Sequence, residues 1–156
     1  MVRRQKIDNS LFAPEVGLEN YPLYLIGHVD HRYSARMAAT LSTQKIGRPK
    51  WRCLLSLSKK NGRSISEIAE ITLIERSTLS RVVDRMAADG LLRRQPRRSD
   101  NRITEVHITP KGRLMLNEVL RVASAQYART MRGLSESEIK SLCRTLKKML
   151  ENLARP

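Results

Sequence analysis

Arg93, Arg94, Arg97, Arg98 and Arg102 fall within ten consecutive positions, with one carboxylate, Asp100, two places before the last of them. Guanidinium groups at this density are chemistry for polyanions, because each presents a planar fork of donors that fits a phosphate or the edge of a guanine. A lone carboxylate inside such a run suits a brace better than a contact. The segment "RITEVHIT" begins at the last arginine and alternates apolar with polar residues. The run is therefore expected at the tip of a folded element. A second grouping, His28, Asp30 and His31, carries acid–base side chains, and Asp30 shares a helix face with Ser34. It comes with no phosphate-binding glycine loop, no metal-ligand spacing and no nucleophile elbow. Catalysis, a bound metal and a resident cofactor are accordingly not expected.

The whole chain supports the polyanion reading. Its 156 residues hold 30 Lys and Arg against 15 Asp and Glu, a net charge of +15. Nucleic acid is the first partner such an excess suggests and an anionic membrane surface the second. No apolar run approaches the roughly 20 residues needed to span a bilayer, and "MVRRQKIDNS" lacks the apolar stretch of a secretory signal. Cys53 and Cys143 stand far apart without a CxxC or paired-histidine spacing, which argues against a disulfide framework or a zinc site. A cytoplasmic location is expected.

Several elements must position the arginines. Residues 1–20 show no sustained period and read as an irregular arm. From Pro22 to Leu41 the apolar positions Leu25, Ile26, Val29, Tyr33, Met37 and Leu41 advance mostly by fours, marking one helix face. A second helix is expected near Pro49, carrying Trp51, Leu54, Leu55 and Leu57. Ser64 followed by Glu67 forms a capping box that opens a short helix through Ile68, Ala69 and Ile71. The next helix runs from Ser77 to Ala88 with Leu79, Val82, Val83 and Met86 inward, and Gly90 ends it.

The period then changes. "LLRRQ" and "RITEVHIT" read as two strands joined by the basic segment Pro96 to Asn101, a hairpin with a charged tip. Thr109 and Pro110 cap and start a long helix whose stripe is Leu116, Val119, Leu120, Ala123, Tyr127 and Met131. Ser135 with Glu138 repeats the capping box before a last helix. Its stripe is Ile139, Leu142, Cys143, Leu146, Met149, Leu150 and Leu153, which suggests that Cys143 is buried packing. The fold class is thus mainly α with a small β-hairpin. A winged helix-turn-helix lobe spans 47–109, flanked by a dimerisation helix over 21–46 and dimerisation helices over 110–156.

In a helix-turn-helix the second helix enters the major groove with its early residues near base edges. Those residues are Arg76, Ser77, Thr78, Ser80 and Arg81. Small hydroxyl groups permit close approach, and Arg81 can fork onto guanine. Ser77 and Thr78 are equally suited to capping the helix, and the two roles are compatible. Arg97, Arg98 and Arg102, near the hairpin tip, can follow the backbone into an adjacent minor groove, where narrow A·T-rich stretches attract arginine.

At this point the stretch "SISEIAEITLIERSTLSRVVDRMAADGLLRRQPRRSDNRITEVHITPKG" resembles the DNA-binding core of the multiple-antibiotic-resistance regulator (MarR) family. The matching residues are Ile68–Ala69, Ser77–Thr78, Ser80–Arg81, Gly90–Leu91, Asp100 to Arg102, and Thr109 with Gly112. The order of helices extends the resemblance over 21–153. It implies a sequence-specific transcriptional regulator, expected to be a repressor, that binds an inverted repeat in double-stranded DNA as a homodimer. It also implies that Asp100 bonds an arginine and braces the hairpin while Arg102 probes the minor groove. Release by a small-molecule effector between the dimer helices and the DNA-binding lobe is a further implication. Many relatives carry glycine in the turn before the recognition helix, where this chain has Leu73.

For the effector, His28, Arg32 and Arg36 lie on one i, i+4, i+8 row with His31 beside it, and Trp51 can supply an aromatic wall. Such a lining suits an aromatic carboxylate or its coenzyme A thioester. The plainer reading makes these surface, dimer-contact and core residues. A cysteine-based redox regulator and a non-specific basic duplex binder are the alternatives.

Overall fold

The computed structural model describes residues 17–154. The arm read over 1–20 lies outside the described residues except at its end, where Leu18–Asn20 forms a single 3-10 turn. Six helices and three short strands follow: α1 (Pro22–Ser42), α2 (Arg48–Lys59), β1 (Arg63–Ser64), α3 (Ile65–Thr72), α4 (Arg76–Ala88), β2 (Leu92–Arg97), β3 (Asp100–Ile108), α5 (Pro110–Thr130) and α6 (Glu136–Leu153). Among the described residues no helix is long and apolar enough to cross a membrane.

The helix starts follow from local chemistry. Ser64 Oγ accepts from the Glu67 amide at 3.1 Å while the Glu67 carboxylate accepts from the Ser64 amide at 2.6 Å. Ser135 and Glu138 repeat this reciprocal cap at α6. Thr109 Oγ1 accepts from the Gly112 amide at 3.1 Å, and Pro110 occupies the first turn of α5, where its missing donor costs nothing. Gly90, at φ +74°, ends the α4 helix as anticipated. Leu73 also lies in the left-handed region, at φ 54° and ψ 35°, with its side chain 88% exposed. The turn between α3 and α4 therefore has the backbone shape that glycine would favour, built with a leucine.

The sheet is antiparallel in the order β1-β3-β2. Leu92 pairs with Ile108 and Pro96 with Thr104, and the register shifts between Pro96 and Arg97. Pro96 is tolerated because β2 is an edge strand. The expected two-stranded hairpin is thus three-stranded: Arg63 and Ser64 pair with Val106 and Glu105 on the far edge of β3. Two residues are too few to show a period, which is why this strand escapes a sequence reading. The hairpin is also tighter than expected, its strands closing on Arg98 and Ser99.

The core lies where α2, α3 and α4 close on β3 and on the adjoining ends of α1 and α5. Leu41, Leu54, Ile68, Leu79, Met86 and Val106 are fully buried there. Other parts of the expected apolar stripes are uncovered. Leu25, Ile26 and Val29 at the start of α1, Tyr127 late in α5, and Leu142, Leu150 and Leu153 on α6 are all exposed. No residue of α6 is buried. Cys143 is consequently exposed, contrary to the expectation of buried packing. Periodicity identifies an apolar face; it does not say whether the same chain covers it.

Candidate nucleic-acid interface

The start of α4 is held by Glu75, which the sequence reading overlooked in favour of Ser77 or Thr78. The Glu75 carboxylate accepts from the amides of Ser77 and Thr78, both at 2.9 Å, and from the Ser77 hydroxyl. These bonds, the Ser77 hydroxyl's first, hold the Glu75 carboxyl at about 2. The signal was available: a glutamate directly before an Arg-Ser-Thr helix start can cap as an aspartate does. Beyond the cap, Arg76, Ser77, Thr78 and Arg81 are exposed, and Ser80 is half-buried. Leu79, Val83 and Met86 bury the opposite face, so packing fixes which residues point outward. Arg94 joins α4 to the sheet through Asp84 at 2.7 Å.

On the hairpin, Arg98 and Arg102 are exposed, and among the described residues neither is engaged in an ion pair. Asp100 Oδ1 accepts from the Arg102 backbone amide at 3.0 Å. Asp100 therefore holds the backbone of Arg102 and not a guanidinium. Arg102 is thereby presented with its side chain free.

Arg97 differs from its neighbours. Its Nε donates to Glu105 Oε1 at 2.7 Å and an Nη donates to Glu67 Oε2 at 3.0 Å. Glu67 also has Lys60 Nζ at 3.5 Å, and His107 Nε2 lies 3.3 Å from Glu105 Oε2. The Ser64 amide, aided by Lys60 and Arg97, holds the Glu67 carboxyl at about 2, against an ordinary 4.5. The hydrogen bond to Arg97 lowers the Glu105 carboxyl as well. Sequence reasoning grouped Arg97 with the tip arginines; in the structure its guanidinium is occupied inside the lobe.

The residues proposed for an effector are only partly brought together. His28 and His31 line a shallow groove on α1 with Leu23, Tyr24 and Gly27, and the rings of Tyr24 and His28 meet at a tilt of 53° with centroids 4.3 Å apart. Arg32 and Arg36 are exposed farther along α1. Trp51 packs in the core with Leu54 and Leu57, and the α1 groove is lined without it. Asp30 accepts a 3.3 Å hydrogen bond from Ser34, an ordinary contact one turn apart. Burial pushes the Cys53 thiol up to about 12, the opposite of what a reactive thiolate needs.

The sequence pattern of the MarR family matches residues 44–103. The HTH-type transcriptional repressor IacR of Pseudomonas putida is 33% identical over 141 residues, covering 90% of this chain and 84% of that protein. A MarR-family transcriptional regulator from Silicibacter pomeroyi, known from a crystal structure, is 32% identical. It superposes with a TM-score of 0.82 over 91% of this chain and 96% of its own. BpsR of Bordetella bronchiseptica, whose DNA binding is regulated by 6-hydroxynicotinic acid, is 25% identical. Its TM-score is 0.72, over 82% of this chain and 91% of that one.

Proposed function

This chain belongs to the MarR family, and from that premise we propose that it represses transcription by binding an inverted-repeat operator as a homodimer. The observation that carries the reading is the division of labour among its arginines. Arg76 and Arg81 stand free on the exposed face of a capped recognition helix, and Arg98 and Arg102 stand free at the hairpin. Arg81 reads a base edge, Ser77 and Thr78 approach the backbone, and Arg102 enters the minor groove. The dimer forms through the uncovered faces of α1, α5 and α6. Two-fold symmetry then sets the half-sites about one helical turn apart.

A small-molecule effector releases the operator by preferring a lobe spacing that does not fit DNA. The resemblance to BpsR, whose DNA binding is regulated by 6-hydroxynicotinic acid, supports a small aromatic carboxylate as its class. His28 and His31 in the α1 groove are the residues that favour an anionic group there.

The test is selection of genomic fragments by the purified protein, sequenced beside Arg102→Ala and Arg81→Ala variants. An enriched inverted repeat that disappears with Arg102→Ala and loses a defined base preference with Arg81→Ala is expected. Equal capture of all duplexes at moderate salt would make the protein a non-specific basic DNA binder instead.

A further inference from the structure

We infer that Arg97 is a positioning residue, which sets the pose of the hairpin against α3 and takes no part in contacting DNA phosphate. The inference rests on the reading of this lobe as DNA-binding, and it divides the arginine run by role. Arg97 is the last residue of β2, directly before the turn at Arg98 and Ser99. Its guanidinium reaches across the sheet to Glu105 on β3 and past it to Glu67 in the first turn of α3. Glu67 in turn receives the Ser64 amide, and Ser64 pairs with Glu105. One guanidinium thus ties together the outer strand, the central strand and the helix-turn-helix. All three side chains are sheltered, at 26%, 20% and 33% exposure for Arg97, Glu105 and Glu67.

The register shift between Pro96 and Arg97 adds a second, independent sign. An irregularity beside a functional tip re-aims one side chain, and here the re-aimed residue is the one that crosses to α3. The geometry needs a fork. Two donors fixed in one planar group satisfy two different carboxylates, which a lysine ammonium on a flexible stem does not reproduce. A charge that served only to attract phosphate would carry no such requirement.

The experiment measures affinity for the selected operator and for a scrambled duplex of equal length over a sodium chloride series. The proteins compared are wild type, Arg97→Lys, Arg97→Gln, Glu105→Gln and Arg102→Ala. Arg97→Lys keeps the charge and is nevertheless expected to lose operator affinity by roughly fivefold or more, with the scrambled duplex little changed. Glu105→Gln removes a negative charge from a DNA-binding lobe, which by simple attraction would tighten binding; it is expected to weaken operator binding instead. The salt slope should stay at the wild-type value in Arg97→Gln, which removes the charge, and fall by about 0.9 in Arg102→Ala. Wild-type affinity in Arg97→Lys, or tighter binding in Glu105→Gln, overturns the inference.

A readout without DNA separates this inference from the reading it rests on. Hydrogen exchange at the amides of Asp100 to Thr104 in the free protein should quicken in Arg97→Lys and Glu105→Gln and stay unchanged in Arg102→Ala. Unchanged exchange in the first two overturns the positioning role. Faster exchange in a protein that prefers no operator leaves the role standing and removes the proposed function.

Discussion

Gly112 lies directly against the Leu91 carbonyl oxygen, so that a Cβ at position 112 would overlap it. The same oxygen accepts the Thr109 amide at 3.1 Å and the Thr109 hydroxyl at 3.0 Å. The start of α5 is thus seated on the end of the α4–β2 turn. Gly112→Ala must push α5 away from Leu91 or break the Thr109 bonds. A loss of about 1–3 kcal/mol in unfolding free energy is expected. Denaturant melts check it: an unchanged midpoint would show that α5 is free to shift at this junction.

Leu73 makes the opposite case. Its left-handed backbone costs an L-residue about 1–2 kcal/mol, and its exposed side chain recovers nothing by burial. Glycine at this position adds unfolded-state freedom worth about 0.5–1 kcal/mol. Leu73→Gly should therefore raise stability by about 0.5–1 kcal/mol without altering the fold. A destabilised variant would mean that the leucine makes a contact that this single chain does not contain.

The helices were legible because their signals are local. The Ser64–Glu67 and Ser135–Glu138 boxes, Pro49, Pro110 and Gly90 each do their work within a turn of the chain. What escaped depends on distant partners. The two residues of β1 become a strand only because β3 offers Val106 and Glu105. Arg97 looks like Arg98 in the sequence and differs only because Glu67, 30 residues earlier, reaches it in space. Cys143 was expected as buried packing and is exposed, since an apolar stripe does not reveal whether its cover lies in the same chain.

The Glu67 carboxyl supplies a pH signature. Its folded-state value near 2 lies below its ordinary 4.5, so its contribution to stability is complete above the ordinary value. That contribution is lost as pH falls from about 4.5 toward 2, when the proton displaces the Ser64 amide, Lys60 and Arg97. Wild type should lose melting temperature across that window more steeply than Glu67→Gln, which has no charge to lose. Glu75 and the other lowered carboxyls remain in both proteins and cancel in the difference. Parallel curves would show that the α3 cap and its ion pairs do not couple to folding.

The α6 helix carries the assembly prediction. Leu142, Leu150 and Leu153 are 47%, 66% and 79% exposed, on a helix that begins with a complete capping box and buries nothing. A well-capped amphipathic helix with an uncovered apolar face is explained if a second copy covers it, with the exposed Leu25, Ile26 and Val29 of α1 contributing to the same surface. Burying a leucine is worth about 1.5–3 kcal/mol, and a two-fold interface counts each one twice. Leu142→Glu combined with Leu150→Glu would place four carboxylates in that interface. Sedimentation equilibrium should show a dimer for wild type and a folded monomer for the double variant, with helical circular dichroism largely kept by the core around Leu54 and Met86. Operator binding should fall with it, because a monomer holds only one half-site. A double variant that still sediments as a dimer would move the interface off α6, and a wild-type monomer would remove the homodimer from the proposed function altogether.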